Sequence, residues 1–405
     1  MRISWRAALL AAIAIAAPVT ATAQASGTDP LDNASLKFGS LGISPAVLLR
    51  ALGTDANVFN EATDPKRDFT FTVTPRVDVV FHPTFMHLTY SSATDYVYYR
   101  KYASERGTNQ TSSARIDIPI WRFEPYVLAT GTNTRERLND EVDARARHRD
   151  RVYGTGLRVK LATRTSVVIG VRRTTTTFDQ GSIFRGENLD RAFNSRTDAA
   201  EASLALELTP ITTFSLVASD ERQRFDLAPE RTSETLRVTP TFSFVPDGII
   251  SGTIGVGYRR FRTHSPELPD FSGLVANGSI GIRFSSRYRL DTTVGRDLRY
   301  SYERDTPYYI GAGGSVALTW QVVGPLDTHV SVRRQSLDYR RSALLGGNVP
   351  SDVYLTYGAE VGYRIRSRFR LSVNGDWTDR QSARDASRDF RDHRVYTALT
   401  WGKQS

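Results

Sequence analysis

Residues 274–302 carry the pattern that most restricts how this chain can fold. The first arm sets Leu274, Ala276, Gly278, Ile280, Ile282 and Phe284 at alternate positions, with Asn277, Ser279, Gly281 and Arg283 between them. After Ser285, Ser286 and Arg287, a second arm sets Tyr288, Leu290, Thr292, Val294, Leu298, Tyr300 and Tyr302 against Arg289, Asp291, Thr293, Asp297 and Arg299. Side chains alternate across an extended strand with a period of two, so each arm is a strand with one apolar and one charged face. Both arms are long for a soluble protein and suit a tilted strand crossing a bilayer. Arg296 has the parity of the apolar face. Either it snorkels at the outer interface or the register slips there.

The pattern recurs along the chain. It predicts eighteen strands joined by eight short turns, near residues 83, 124, 164, 210, 246, 286, 323 and 366, and by nine longer polar connections. The first strand, over 43–59, alternates poorly and is interrupted by Pro45, and the stretch 212–224 is weakly patterned, so sixteen strands is the alternative count. Short turns at one end and longer loops at the other are the asymmetry of an outer-membrane barrel, with periplasmic turns and extracellular loops. Trp121, Phe284, Tyr288, Trp320, Phe369 and Trp401 stand beside short turns or at the end of the last strand, as one aromatic girdle. Tyr98, Tyr102, Tyr258, Tyr300, Tyr302, Tyr308 and Trp377 lie towards the long loops and are expected to form the second. A propeller shares the turn spacing of roughly forty residues, but a blade packs four short strands into that length and here two long ones fill it. The expected fold is therefore all-β: a transmembrane, antiparallel, up-and-down barrel.

Arg2 and Arg6, an apolar run over 7–19 and Ala-x-Ala sequences at 21–25 describe a cleaved secretory signal over 1–25. A short periplasmic segment is expected over 26–42 and the barrel over 43–405. The chain has no cysteine, which excludes disulfides and thiolate metal sites or nucleophiles. No later segment resembles a membrane helix, so a membrane-embedded form has to be a closed barrel. The formal net charge is +10, and only five of the 53 basic residues are lysine: Lys37, Lys66, Lys101, Lys160 and Lys403. The arginine bias reads either as genome composition or as a lumen lined for anions. The arginines are strewn along strands rather than gathered in one basic run, which argues against nucleic acid.

Parity places Arg115, Asp117, Arg158, Lys160, Arg172, Arg237, Arg283, Arg289, Asp291, Asp297, Arg299, Arg333, Glu360, Arg364 and Arg370 on the lumen side. Charges pairing across strands account for most of these positions. The sharper expectation is that the arginine excess guides anions or acidic sugars. Tyr153, Tyr309, Tyr354 and Tyr396 are weak candidates for an aromatic sugar path. The six histidines are scattered singly, and no metal, phosphate-loop or nucleophile-elbow motif appears, so no catalytic, metal or cofactor site is expected. Glu187, Asn188 and Asp190 read as a solvated loop rather than a calcium site. Gly170, Gly255 and Gly281 read as positions that relieve crowding within strands. The longest loop, 179–194, is the candidate constriction.

Asn57-Val58-Phe59, Asp64-Pro65, Thr74-Pro75 and the final Val395-Tyr396-Thr397-Ala398-Leu399-Thr400-Trp401 resemble the β-barrel porin family of Gram-negative outer membranes, including barrels linked to exopolysaccharide secretion. The closing strand resembles the C-terminal signal read by the barrel assembly machinery, although residues 402–405 follow its aromatic. The resemblance implies a pore or conduit for small solutes or polysaccharide, surrounded by outer-membrane lipid and lipopolysaccharide, without a catalytic site. For an export barrel it also implies polysaccharide secretion components as partners. The competing readings are a closed-lumen structural or adhesive barrel working through its loops, and, less favoured, a barrel enzyme.

Overall fold

A computed structural model of the protein describes residues 30–245, 248–266, 268–341, 349–366 and 368–402. The signal over 1–25 and the turn at Pro246-Asp247 lie outside the described residues. Eighteen long strands run in chain order. They are β1 (Leu41–Asp55), β2 (Asp68–Phe81), β3 (His87–Tyr99), β4 (Gly107–Asp117), β5 (Phe123–Thr134) and β6 (His148–Ala162). Next come β7 (Thr165–Phe178), β8 (Ser195–Thr209), β9 (Thr212–Phe225), β10 (Ser233–Phe244), β11 (Ile250–Thr263) and β12 (Phe271–Arg283). The last are β13 (Tyr288–Tyr300), β14 (Tyr308–Val323), β15 (Leu326–Arg340), β16 (Asp352–Arg366), β17 (Phe369–Ser382) and β18 (Phe390–Gly402). Each pairs antiparallel with its sequence neighbours, and β1 also pairs with β18, Val47 lying opposite Trp401. Pairing β1 with β18 closes the sheet on itself, which is what hydrocarbon demands of a β-protein.

Both weakly patterned strands are real, so the count is eighteen. In β1 the register shifts between Arg50 and Gly53 against β2 and between Leu49 and Leu52 against β18. Ala51 sits in this bulge with φ +52°. One extra residue inverts the parity of every position after it in the strand, which is why the alternation looks mixed. Pro45 pairs only with Val77 of β2, because β18 begins pairing at Ala46; its missing N–H therefore costs no ladder bond on that side. In β9 the outward Asp220, Arg222 and Arg224 carry the strand beyond the apolar band, and Arg222 pairs with Glu234 at 3.3 Å. A short strand, Leu36–Phe38, folds back on Leu41–Ile43, so the end of the expected N-terminal segment joins the wall.

The outward face is apolar all round. Val127, Val171, Val256, Val330 and Val373 are each more than half exposed. A continuous apolar belt of this extent has no counterpart on a soluble monomer and reads as a lipid-facing surface. Trp121, Phe284, Tyr288, Trp320, Phe369 and Trp401 are exposed at the short-turn end, with Tyr288 stacked on Trp320 at 6.0 Å.

The long-loop end departs from expectation. Tyr258 and Trp377 are exposed, but Tyr302 and Tyr308 are buried and Tyr300 is half-buried among other aromatics. The cause is an opening in the wall. β12 and β13 pair only from Arg283–Arg289 up to Ala276–Arg296. Above Arg296, β13 parts from β12 and passes inside it, while β14 stays paired with β15 up to Tyr308–Arg340. The face of β13 that meets lipid lower down here meets lumen-side residues: Tyr300 packs edge-on against Phe225 at 4.7 Å and Phe261 at 5.9 Å, and its hydroxyl lies 2.5 Å from Ser233 Oγ. Arg296 therefore marks the break. Its guanidinium donates to the Leu274 carbonyl, which β13 no longer serves.

Candidate functional site: a loop platform across the barrel mouth

Several of the long loops fold inward over the barrel mouth. The loop over 135–147 leaves β5, crosses the lumen and touches the opposite wall. Asp140 Oδ2 lies 2.8 Å from Arg333 Nη2 on β15, and the Asp140 carbonyl accepts from the Tyr354 hydroxyl on β16. Eight strands lie between β6 and β15 on either side of the eighteen-strand wall, so this loop spans the barrel's width. The loop over 179–194, expected from its length to be the constriction, folds inward as well, with Arg185 reaching the β17–β18 loop. It lies over the crossing loop, placing Leu189, Ala192 and Phe193 of a short helix (Leu189–Phe193) against Val142, Phe178 and Tyr302.

Local chemistry shapes the crossing loop. Asn139 Oδ1 accepts from the backbone N–H groups of Glu141 and Val142, each at 2.8 Å, which turns the chain. Val142 is then fully buried. A loop held away from water needs partners for its carbonyls, and arginine supplies several donors from one plane. Arg137 donates to the carbonyls of Val58 at 2.9 Å and Asp143 at 3.0 Å. Arg231 donates to Ala192 at 3.1 Å, to Pro307 at 2.8 Å and to Ser301. Arg185 donates to the Ser387 carbonyl at 3.0 Å, tying 179–194 to the β17–β18 loop on the far side. The Asn57-Val58 motif belongs to this scaffold. Both residues are buried; Asn57 bonds the backbone of Glu61 and Arg391, and the Val58 carbonyl receives Arg137 and Arg145.

Two acidic groups anchor the centre. Asp352, fully buried, accepts from Arg380 at 2.8 Å and Ser382 Oγ at 2.6 Å, with Arg388 at 3.6 Å. Glu141, also fully buried, accepts from Ser301 Oγ at 2.5 Å. Burial pushes the Glu141 carboxyl up to about 8, so it is largely neutral at neutral pH. Between the loops lies a cavity of about 350 Å³. Five guanidiniums line it, from Arg137, Arg145, Arg185, Arg380 and Arg388, against two carboxylates, Glu105 and Asp143.

The positions read as lumen-facing fall into short-range pairs. Arg115 meets Asp117 at 2.6 Å and covers the Tyr126 ring, and Arg289 meets Asp291 at 2.8 Å. These pairs lie two residues apart on one strand, not across strands. Others do cross: Arg158 to Glu124 at 3.5 Å, Arg172 to Glu201 at 2.7 Å, and Arg370 to Asp327 at 2.6 Å and to Glu360. Arg237 and Arg259 share Asp297 at 2.8 and 2.6 Å. Arg299 stands opposite Tyr309 in the ladder, while Lys160, Arg283 and Arg364 stand near the short-turn end opposite Ser166, Arg289 and Arg370. Tyr153 is 58% exposed on the outward face, which removes it from any sugar path. Tyr309 and Tyr354 belong instead to a buried cluster with Tyr339 and Phe390, and Tyr396 donates to Asp376 at 2.8 Å. Gly170 admits the Tyr126 ring, whose hydroxyl lies 2.6 Å from where a Cβ would stand. Among the described residues no group of three His, Asp or Glu is placed to hold a metal, and Glu187 lies 3.6 Å from Arg304.

Sequence reasoning missed the platform because its apolar residues come from loops far apart in the chain and are interleaved with buried charged groups. The available signal was arginine inside loops, at 137, 145, 185, 231 and 388, where a solvated loop has no need of that residue.

A closed eighteen-strand barrel with a lipid-facing belt and loops folded into its mouth defines an outer-membrane porin. The family model described as "Putative beta-barrel porin 2" matches residues 29–402, and the chain belongs to that family, which is one of channels rather than enzymes. Solved structures similar in fold include a BenF-like porin from Pseudomonas fluorescens Pf-5, at 12% identity over 89% of this chain and 98% of that one, TM-score 0.51. OccK2 (OpdF) from Pseudomonas aeruginosa shares 11% identity over 90% and 98%, TM-score 0.50. The outer membrane protein opdK from the same organism has 10% identity over 89% and 98%, TM-score 0.49. A sequence search of curated proteins finds no match.

Proposed function

We propose that this porin is a channel for small solutes with a preference for anions. The observation that carries the reading is the loop over 135–147, which spans the barrel's mouth beside a cavity lined by five arginines. An eighteen-strand barrel has room for an aqueous lumen, so the loops rather than the wall set its width. A loop laid across the mouth leaves less room for a polymer chain, which favours small solutes over polysaccharide. In this reading the paired charges from Arg115 to Arg370 form the lumen wall, the short turns face the periplasm and residues 1–25 are the signal removed on export.

The test is planar-bilayer recording of the purified barrel under a salt gradient. The reading expects conductance with a reversal potential on the anion side, and a lower anion-to-cation permeability ratio in Arg289→Gln/Arg299→Gln. Conductance with cation preference overturns the anion reading. A second reading rests on the same platform, whose packing around the fully buried Glu141 and Val142 resembles a protein core: a closed barrel acting through its outer surface. Absence of conductance at every voltage decides for it.

A further inference from the structure

We infer that the outward face of β6–β9, just above the apolar belt, binds the phosphate of an outer-leaflet glycolipid of the lipopolysaccharide class, with Arg196 and Arg224 at its centre. The inference takes from the proposed function only that the long loops face the outside of the cell; it does not depend on conduction. Side chains directly opposite one another in an antiparallel ladder share a face, so the outward surface can be read in rows across the strands.

Three rows define the patch. Leu157, Ile169, Ala202, Ala218, Val238 and Tyr258 form one that is apolar and ends in an aromatic of the upper girdle. Four residues further along each strand, the row Arg173, Asp198, Arg222, Glu234 and Arg262 alternates in sign. Its acids are engaged: Arg173 meets Asp198 at 2.6 Å and Arg222 meets Glu234 at 3.3 Å. The next row is Arg151, Thr175, Arg196 and Arg224, and it holds no acid. All three of its arginines are exposed, and among the described residues none makes an ion pair or a side-chain hydrogen bond. On the opposite arc, above the girdle residue Trp377, the outward Arg391 has an acid beside it, Asp379 at 3.8 Å.

Arg196 and Arg224 stand directly opposite each other on β8 and β9. Like charges so placed destabilise a strand pair, and an anion held between them removes the repulsion. Phosphate oxygens suit the forked guanidinium, and the Thr175 hydroxyl beside Arg196 adds a donor. What lies below selects the source of the phosphate. Val171, Ile169 and Leu236 are 58%, 52% and 50% exposed on the same arc. An amphiphile lays acyl chains on these residues while its phosphate meets the arginines, whereas free phosphate leaves them unused. In the outer leaflet the phosphorylated amphiphile is a glycolipid.

Native mass spectrometry of the purified, detergent-folded barrel, titrated with bisphosphoryl lipid A, phosphatidylglycerol or inorganic phosphate, tests the patch. Lipid A is expected to bind about tenfold tighter than phosphatidylglycerol, and millimolar inorganic phosphate is expected not to displace it. Arg196→Gln/Arg224→Gln weakens lipid A binding about tenfold. Arg334→Gln/Arg340→Gln, which removes two exposed outward arginines from β15, leaves it within about twofold. Heat-modifiable gel migration checks that both variants fold. Equal losses in the two variants, binding unmoved in the first, or equal binding of phosphatidylglycerol or inorganic phosphate overturns the site. The chain has no cysteine, so Leu227→Cys, exposed in the β9–β10 loop, reports orientation in whole cells through a membrane-impermeant maleimide. Labelling of intact cells supports the outer-leaflet assignment, and labelling only after lysis overturns it. A barrel that binds lipid A at this patch but never conducts keeps the inference and overturns the channel reading.

Discussion

Glu141 shows how much one loop residue holds together. It sits at the centre of the crossing loop, and the groups facing it come from every element around it: Ser301 and Glu303 from the β13–β14 loop, Arg388 from the β17–β18 loop, Arg231 from the β9–β10 loop, and Tyr302, Tyr309 and Tyr339. Burial raises its pKa from 4.5 to about 8, because a charge there has lost its water. The folded state therefore keeps a proton that the unfolded or opened loop releases near 4.5. Stability of the closed platform is full below that value, falls as pH rises towards 8, and levels off above it. Hydrogen exchange over residues 135–147 between about pH 5 and pH 9 checks this against Glu141→Gln, which is neutral throughout. Wild-type protection is expected to fall relative to the variant until about pH 8 and then run parallel. Indistinguishable profiles contradict the assignment. The arginines teach a related lesson. In sequence they read as genome bias or as an anion-guiding lumen, and the structure adds a third role, since Arg137 and Arg231 serve backbone carbonyls that no strand reaches.

The strands divide cleanly into two faces, and the two faces differ in what they tolerate. Val256 lies midway along β11, is 52% exposed and points outward between Gly255 and Gly257. Val256→Arg places a charge near the centre of the apolar belt and is expected to destabilise the barrel by about 2–4 kcal/mol. Unfolding titrations in lipid vesicles measure this; a change below ~0.5 kcal/mol contradicts a bilayer-facing β11. Strand number, order and faces were legible in the sequence, because period-two alternation reports directly on a wall with lipid on one side and polar groups on the other. Alternation is a local signal, so it failed where the wall itself departs from regularity. The bulge at Ala51 blurred β1, and the parting of β12 from β13 above Arg296 put Tyr300, Tyr302 and Tyr308 inside although their parity pointed outward. Arg296 was the visible trace of that break.

At the scale of the whole molecule, the wall provides a frame and, in the function proposed, the loops decide what passes through it. The 56–75 motif was legible as a family resemblance, but its task was not: Asn57 and Val58 moor the platform through contacts to Arg391, Arg137 and Arg145, residues between 79 and 334 positions away. No local pattern encodes such contacts, and none distinguished the crossing loop from the longer 179–194. The central claim is that residues 135–147 narrow the mouth of the barrel. Single-channel conductance of the wild type beside a variant in which residues 138–143 are replaced by a short glycine linker tests it most directly. The expected result is a small, anion-selective conductance in the wild type and a severalfold larger, less selective one in the variant; identical conductance in the two folded barrels would contradict it.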